Sequence, residues 1–264
     1  MIKKLLASIV KSNRVLYRVY LWLSFDRKHD KKISFIYNPL DLNTEYYDRI
    51  KNIDDSELEH QIGRLTNFKN IIKKCQNLEG DFIEFGVWQG FSTFWIAYFL
   101  ERNAIFTKKI VGLDSFSGLP YADGIFDKFA FSNTSLKLCK KNLLDSKLLY
   151  PLIKKNILIG KFLYSQKKSI ISFFKKNKIS KFCFIHIDCD VSESVKEIFE
   201  ILSSGNLIAD ECYILFDDYG CETKLKITTD DIFEKMKSEW DISVDSSTKL
   251  TKNFLLKRNM QKNS

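Results

Sequence analysis

At 264 residues with 45% hydrophobic content, the chain is long enough for one α/β-sized core with residues left for extensions, and no repeat or low-complexity linker divides it. The net charge is +9, much of it between Lys137 and Lys181, where Asp145 is the only acid. That stretch carries no recognised nucleic-acid motif, so it reads as a solvated lysine-rich surface without a nucleic-acid partner. Six cysteines are scattered without a C-x-x-C pair and read as reduced core residues, which favours a cytoplasmic protein. Cys183, His186 and Cys189 have a zinc-like spacing, but side chains alternate along a strand, so a zinc site is not expected.

In chain order, residues 1–25 are apolar and aromatic, interrupted by Lys3, Lys4, Lys11, Arg14 and Arg18, with no acid before Asp26. The basic residues come too often for a spanning helix or a signal peptide. Two readings stand: a basic amphipathic helix lying peripherally on an anionic inner-membrane surface, or a helix packed on the rest of the protein or across a homo-oligomer. A polar region follows at 26–52, and a helix is expected over 55–77. Strands are then expected at 80–85, 109–114, 156–159, 182–188 and 212–217. Helices are expected at 91–102, 134–149, 166–176, 192–202 and after 228. Residues 241–244 and 253–257 supply two final strands as an antiparallel pair. The alternation implies right-handed βαβ units and a mostly parallel seven-stranded sheet with helices on both faces. Residues 1–60 are read as a helical extension or lid, and 61–264 as the main domain.

The most informative segment is Gly80-Asp-Phe-Ile-Glu-Phe-Gly-Val-Trp-Gln-Gly-Phe-Ser92. Phe82, Ile83 and Phe85 suit a strand covered on both faces, and residues 91–100 suit the helix that follows. Gly86 and Gly90 permit a tight turn and a close approach to a ligand. Glu84 precedes the first glycine. An acid there repels a pyrophosphate and attracts an ammonium, such as that of S-adenosylmethionine (SAM).

Open sheets of this type bind ligands at the carboxyl ends of their strands. Acids stand at those ends: Glu84, Asp114, Asp188 with Asp190, and Asp217 with Asp218. Any one suits a helix cap or a turn, whereas four strand ends together point to a site.

The segments Gly80 through Gly90, Asp114-Ser-Phe-Ser-Gly-Leu-Pro120, His186-Ile-Asp-Cys-Asp190 and Phe216-Asp-Asp-Tyr-Gly220 resemble, in this order, the macrocin and mycinamicin O-methyltransferase family. The resemblance covers roughly residues 64–220. It implies a Rossmann-like class I fold and a SAM-dependent, Mg²⁺-dependent enzyme that methylates a hydroxyl of a sugar, glycan or glycosylated metabolite. It also implies roles for particular residues. Glu84, Gly86 and Gly90, with Val87 and Ser92, would hold the methionine part of SAM. Asp114 would accept hydrogen bonds from the ribose, with Ser115 lining the pocket beyond it. Asp188, Asp217 and Asp218 would bind Mg²⁺ or another divalent cation, and Asp188 would also be the general base. The sequence departs from the family at Phe91, where a small residue is usual, and around Ser192, where an aromatic is usual. His186 is the rival base or a supporting partner. Two other readings remain: a glycosyltransferase using Asp188-Cys-Asp190 as a D-x-D motif, which Glu84 argues against, and a membrane-associated scaffold with a degenerate pocket.

Overall fold

The computed structural model describes residues 55–146, 148–221 and 224–259. The expected N-terminal amphipathic helix therefore lies outside the described residues. The first described element is α1 (Asp55–Lys74), followed by a 3₁₀ turn at Cys75–Asn77. Phe68, Ile71, Ile72 and Cys75 bury one stripe of α1 at helical spacing. The same stripe continues toward the N-terminus as Arg64 and His60, so one face of α1 passes from apolar to polar. The boundary expected at residue 60 falls inside this helix.

The chain then runs through β1 (Asp81–Phe85), α2 (Phe91–Arg102), β2 (Ile110–Asp114), α3 (Leu136–Leu144), α4 (Pro151–Lys154) and β3 (Ile157–Lys161). It continues with α5 (Lys167–Lys176), β4 (Phe182–Ile187), α6 (Ser192–Ser204), β5 (Ile208–Phe216), α7 (Leu225–Met236), β6 (Trp240–Ser247) and β7 (Lys252–Arg258). The seven strands order as β3-β2-β1-β4-β5-β7-β6. The first five are parallel, and β7 pairs antiparallel with both β5 and β6. This is the Rossmann-like, mostly parallel seven-stranded sheet with helices on both faces expected from the sequence.

Burial on both faces explains why the parallel strands lack polar alternation: all six residues of β4 are buried. One apolar cluster packs α5, α6 and α7 against one face through Phe174, Ile198 and Phe233. The other packs α1, α2 and α3 against the opposite face through Phe68, Phe94 and Leu143. β1 pairs with both β2 and β4, so the order in which strands are added reverses at β1 and leaves a crevice above the carboxyl ends of these parallel strands.

Some boundaries differ from expectation. The helix expected over 134–149 is shorter, Leu136–Leu144, and a short helix that was not expected, α4, follows beyond that range with Pro151 in its first turn. β5 begins four residues earlier than expected, and its pairing with β4 shifts between Phe182 and Phe184. α7 begins at Leu225, ahead of the expected start.

Candidate functional site

A cavity of about 380 Å³ occupies the crevice at the carboxyl ends of the strands. Its wall includes Gly86, Val87, Ser92, Asp114, Ser115, Asp188, Asp217 and Asp218, eight of the ten residues singled out from the sequence. Glu84 and Gly90 are not on it. Glu84 is almost wholly buried within β1, hydrogen-bonded to the hydroxyl of Thr93 and, at 3.1 Å, to Nδ1 of His186. It lies in register with His186 on β4 and bonds to that side chain and to α2 beneath the turn. Gly90, at φ 95°, begins α2 from the left-handed region.

Gly86 has a sharper constraint. It lies at φ 92°, and a Cβ there would sit 1.7 Å from the backbone oxygen of Asp188. Only glycine lets the end of β1 pass this close to the end of β4. Asp114 fixes the same turn from the other side. One of its oxygens accepts the backbone N–H of Val87 at 3.0 Å and of Trp88 at 2.8 Å, and the other accepts that of Phe116. Burial raises the Asp114 pKa while these hydrogen bonds oppose the rise. The carboxylate thus holds the first turn in place and also lines the cavity.

The acids of β4 and β5 are arranged around a residue the sequence reading overlooked. Arg64 Nη1 lies 3.2 Å from Asp188 Oδ2 and 2.9 Å from Asp217 Oδ2, and Nη2 donates to Gln61 at 2.8 Å. His60, one turn earlier on α1, places Nε2 3.3 Å from Asp217. Burial disfavours charge on Asp217, yet Arg64 and the His60 hydrogen bond hold its carboxyl well below the usual carboxylate range. Asp188 goes the other way: burial and then Asp217 push its pKa far up, against the opposing effect of Arg64. A signal for Arg64 was present in the sequence, since it stands four residues before Phe68 on the apolar stripe of α1.

The expected metal set of Asp188, Asp217 and Asp218 does not converge as such. Oxygens of Asp188, Asp190 and Asp218 lie within 4.8 Å of one another, while Asp217 is turned to Arg64 and His60. Asp190 adopts φ 61°, a left-handed turn that Asp tolerates, between β4 and α6. Burial and the nearby Asp218 push its pKa well up. Three crowded carboxylates with hard oxygen donors fit a Mg²⁺-type cation, which would relieve their repulsion. A second group, Glu84, His186 and Asp188, is less suited, because its two buried members already hydrogen-bond one another.

The far wall is a loop spanning 115–133, which contributes Tyr121, Phe126 and Phe131. Asp123 fastens it: its carboxylate accepts the N–H of Ser192 at 3.0 Å and of Lys224 at 3.4 Å, joining the loop to the starts of α6 and α7.

Comparisons with known proteins give the family and the fold. The model of the macrocin-O-methyltransferase (TylF) family matches residues 49–247. The O-methyltransferase NovP superposes with a TM-score of 0.58 at 18% identity, covering 74% of this chain and 80% of that one. CalS11, a calicheamicin methyltransferase, gives 0.58 at 12% identity, covering 86% and 90%. Its apo form, described as a TDP-rhamnose 3′-O-methyltransferase, gives 0.53 at 11% identity, covering 84% and 91%. No curated protein matches the chain by sequence. With its family model spanning three quarters of its length and its strand-end crevice built as above, the chain belongs to the macrocin-O-methyltransferase family and is a SAM-dependent O-methyltransferase.

Proposed function

We propose that the acceptor is a sugar hydroxyl and that a divalent cation assists the transfer. The observation that carries this reading is the convergence of Asp188, Asp190 and Asp218 beside the cavity wall formed by Gly86 and Asp114. The description of CalS11 as a sugar O-methyltransferase supports the acceptor class.

When bound, SAM supplies an electrophilic methyl group for in-line displacement. Gly86, Val87 and Ser92 line the end of the cavity suited to its methionine part, and Asp114 retains lone pairs for ribose hydroxyls. When bound, Mg²⁺ lowers the pKa of the acceptor hydroxyl. Asp188, Asp190 and Asp218 are the residues that would hold it. Arg64 anchors Oδ2 of Asp188, which orients that carboxylate so that Oδ1 takes the proton of the acceptor hydroxyl. Asp217, kept ionised by Arg64 and His60, supports this arrangement from behind. His186 bonds to Glu84 and acts as a structural partner. Much of the rate enhancement comes from alignment of acceptor and donor, which the rigid strand ends provide. Free cysteines, five of them buried, favour a reducing, cytoplasmic setting.

Calorimetry with SAM tests the cofactor assignment, with micromolar-range binding, on the order of −8 kcal/mol, expected. Methyl transfer to a panel of nucleotide sugars and glycosides, abolished by EDTA and restored by Mg²⁺, tests the rest. Activity that persists through exhaustive chelation would remove the cation, and transfer confined to acceptors without a sugar would remove the acceptor class.

A further inference from the structure

The α3–α4 segment carries a surface that the chemistry of the cavity does not use. Leu136, Cys139 and Leu143 turn one side of α3 toward the core. The opposite arc, at helical spacing, is Lys137, Lys140, Lys141 and Leu144, all exposed. Leu144 is 41% exposed, and just beyond it Tyr150 and Leu152 are 65% and 52% exposed. Lys154 and Lys155 follow. Three large apolar side chains thus stand in water among five lysines, with Asp145 as the segment's own acid. The nearby Glu101 accepts the backbone N–H of Tyr150 at 2.7 Å. None of the five lysines enters an ion pair among the described residues.

We propose that α3 and α4 form a docking surface for an anionic lipid bilayer. Exposed apolar side chains interspersed with lysines along the chain match a bilayer's two layers, with acyl chains for Leu144, Tyr150 and Leu152 and anionic headgroups for the ammonium groups. Charge opposes the other occupants. Residues 1–25 carry five basic residues and no acid, so they are repelled by this face. A second copy meeting the same face across a two-fold axis sets lysine against lysine. No helix among the described residues is long and apolar enough to cross a membrane, so the contact is a peripheral one. The inner side of α3 packs on the first cofactor turn, where a Cβ on Gly90 would lie 3.1 Å from Leu143. Docking therefore holds that turn about one helix diameter, roughly 10 Å, from the headgroups.

The test is sedimentation of the full chain with vesicles of phosphatidylcholine alone or containing roughly one third phosphatidylglycerol. Wild type is expected to sediment with the anionic vesicles and stay in solution with the neutral ones. The triple variant Lys137→Glu, Lys140→Glu, Lys141→Glu and the double variant Tyr150→Ser, Leu152→Ser should each lose binding by about tenfold or more. Their melting temperatures and SAM affinities should match wild type, since these side chains lie outside the core and the cavity. Wild-type sedimentation by both variants would overturn the proposal and point to residues 1–25. So would equal binding to both kinds of vesicle. Loss of RNA-oligonucleotide binding in the lysine variant, with vesicle binding unchanged, would assign the surface to nucleic acid. Dissociation of a dimer by the Tyr150/Leu152 variant, again with vesicle binding unchanged, would assign it to a second copy.

Discussion

Arg64 and Asp217 form a buried ion pair at 2.9 Å, joining the helix that precedes the sheet to the end of its fifth strand. Removing the cation leaves a carboxylate that is 2% exposed without its main partner. Arg64→Gln should therefore destabilise the protein by about 3–5 kcal/mol, as for other broken buried pairs. Adding Asp217→Asn to that variant should recover part of the loss. Denaturant unfolding of the two single variants and the double variant measures the coupling, and simple additivity would show that the two side chains do not act as a pair.

The choice between Asp190 and Asp217 as the third metal ligand is open to direct measurement. Mn²⁺ affinity, read by calorimetry or electron paramagnetic resonance, should fall about tenfold or more in Asp190→Asn and Asp218→Asn. It should change far less in Asp217→Asn, whose principal defect should be stability. The reverse order would return Asp217 to the metal, as the family resemblance implied, and would mean that Arg64 moves aside when the cation binds.

Asp188→Asn separates chemistry from cofactor binding. SAM affinity should stay close to wild type, because the side chain faces Arg64 and the other acids. Turnover should fall by about 10²-fold or more. Near-full activity in this variant, or the same loss in His186→Asn with metal affinity intact, would move the base to His186.

Gly86→Ala should be far more damaging than Gly90→Ala. At Gly86 the new Cβ meets a backbone oxygen at 1.7 Å, which cannot yield without displacing the end of β4. At Gly90 it meets the side chain of Leu143 at 3.1 Å, which can shift, so only the strain of the left-handed backbone remains. Thermal unfolding and SAM calorimetry on both variants check this. Equal melting temperatures would show that the contact between the ends of β1 and β4 is looser than described.

Asp123 gives a pH-dependent contribution. Partial burial alone would raise its pKa, but hydrogen bonds from Ser192 and the influence of Lys224 outweigh that and lower it from 3.8. A carboxylate with a depressed folded pKa stabilises fully above its unfolded value and loses that contribution as pH falls through the folded one. Asp123→Ala should thus cost about 1 kcal/mol near neutral pH, the usual scale for a lost helix cap. The difference from wild type should shrink below about pH 4. A gap that stays constant down to acid pH would show that the charge of Asp123 contributes nothing.

Much of this architecture was legible because parallel strands buried on both faces leave a simple trace. β1 and β4 read as apolar runs, and the acids that close their loops stand next to them in sequence. Asp114 and Asp188 could be placed for that reason. Arg64 and His60 could not, since their partners lie more than 120 residues away and only packing brings α1 across the strand ends. The partners of Glu84, Thr93 and His186, were not legible, because His186 lies 102 residues away and only strand pairing brings it alongside. Asp190 was read as part of a rival motif, since only its left-handed backbone brings its carboxylate to the other two. The early end of α3 at Leu144 was not read, because apolar residues resume at Leu148 and Leu149 and extend the helical pattern.

The long reach of α1 also sets an order of events during synthesis. Arg64 leaves the ribosome well before Asp188 and Asp217, and Asn67 waits still longer for Thr251, 184 residues away. Such distant contacts form slowly, after local helices and neighbouring strands. The acids of β4 and β5 thus emerge before the arginine's final position is secured, and the last hairpin must close before α1 can settle against it. The reaction centre becomes complete only when the carboxyl-terminal strands have joined the sheet, so a chain stalled or cut short before β7 should hold most of a cofactor pocket and no working acid cluster.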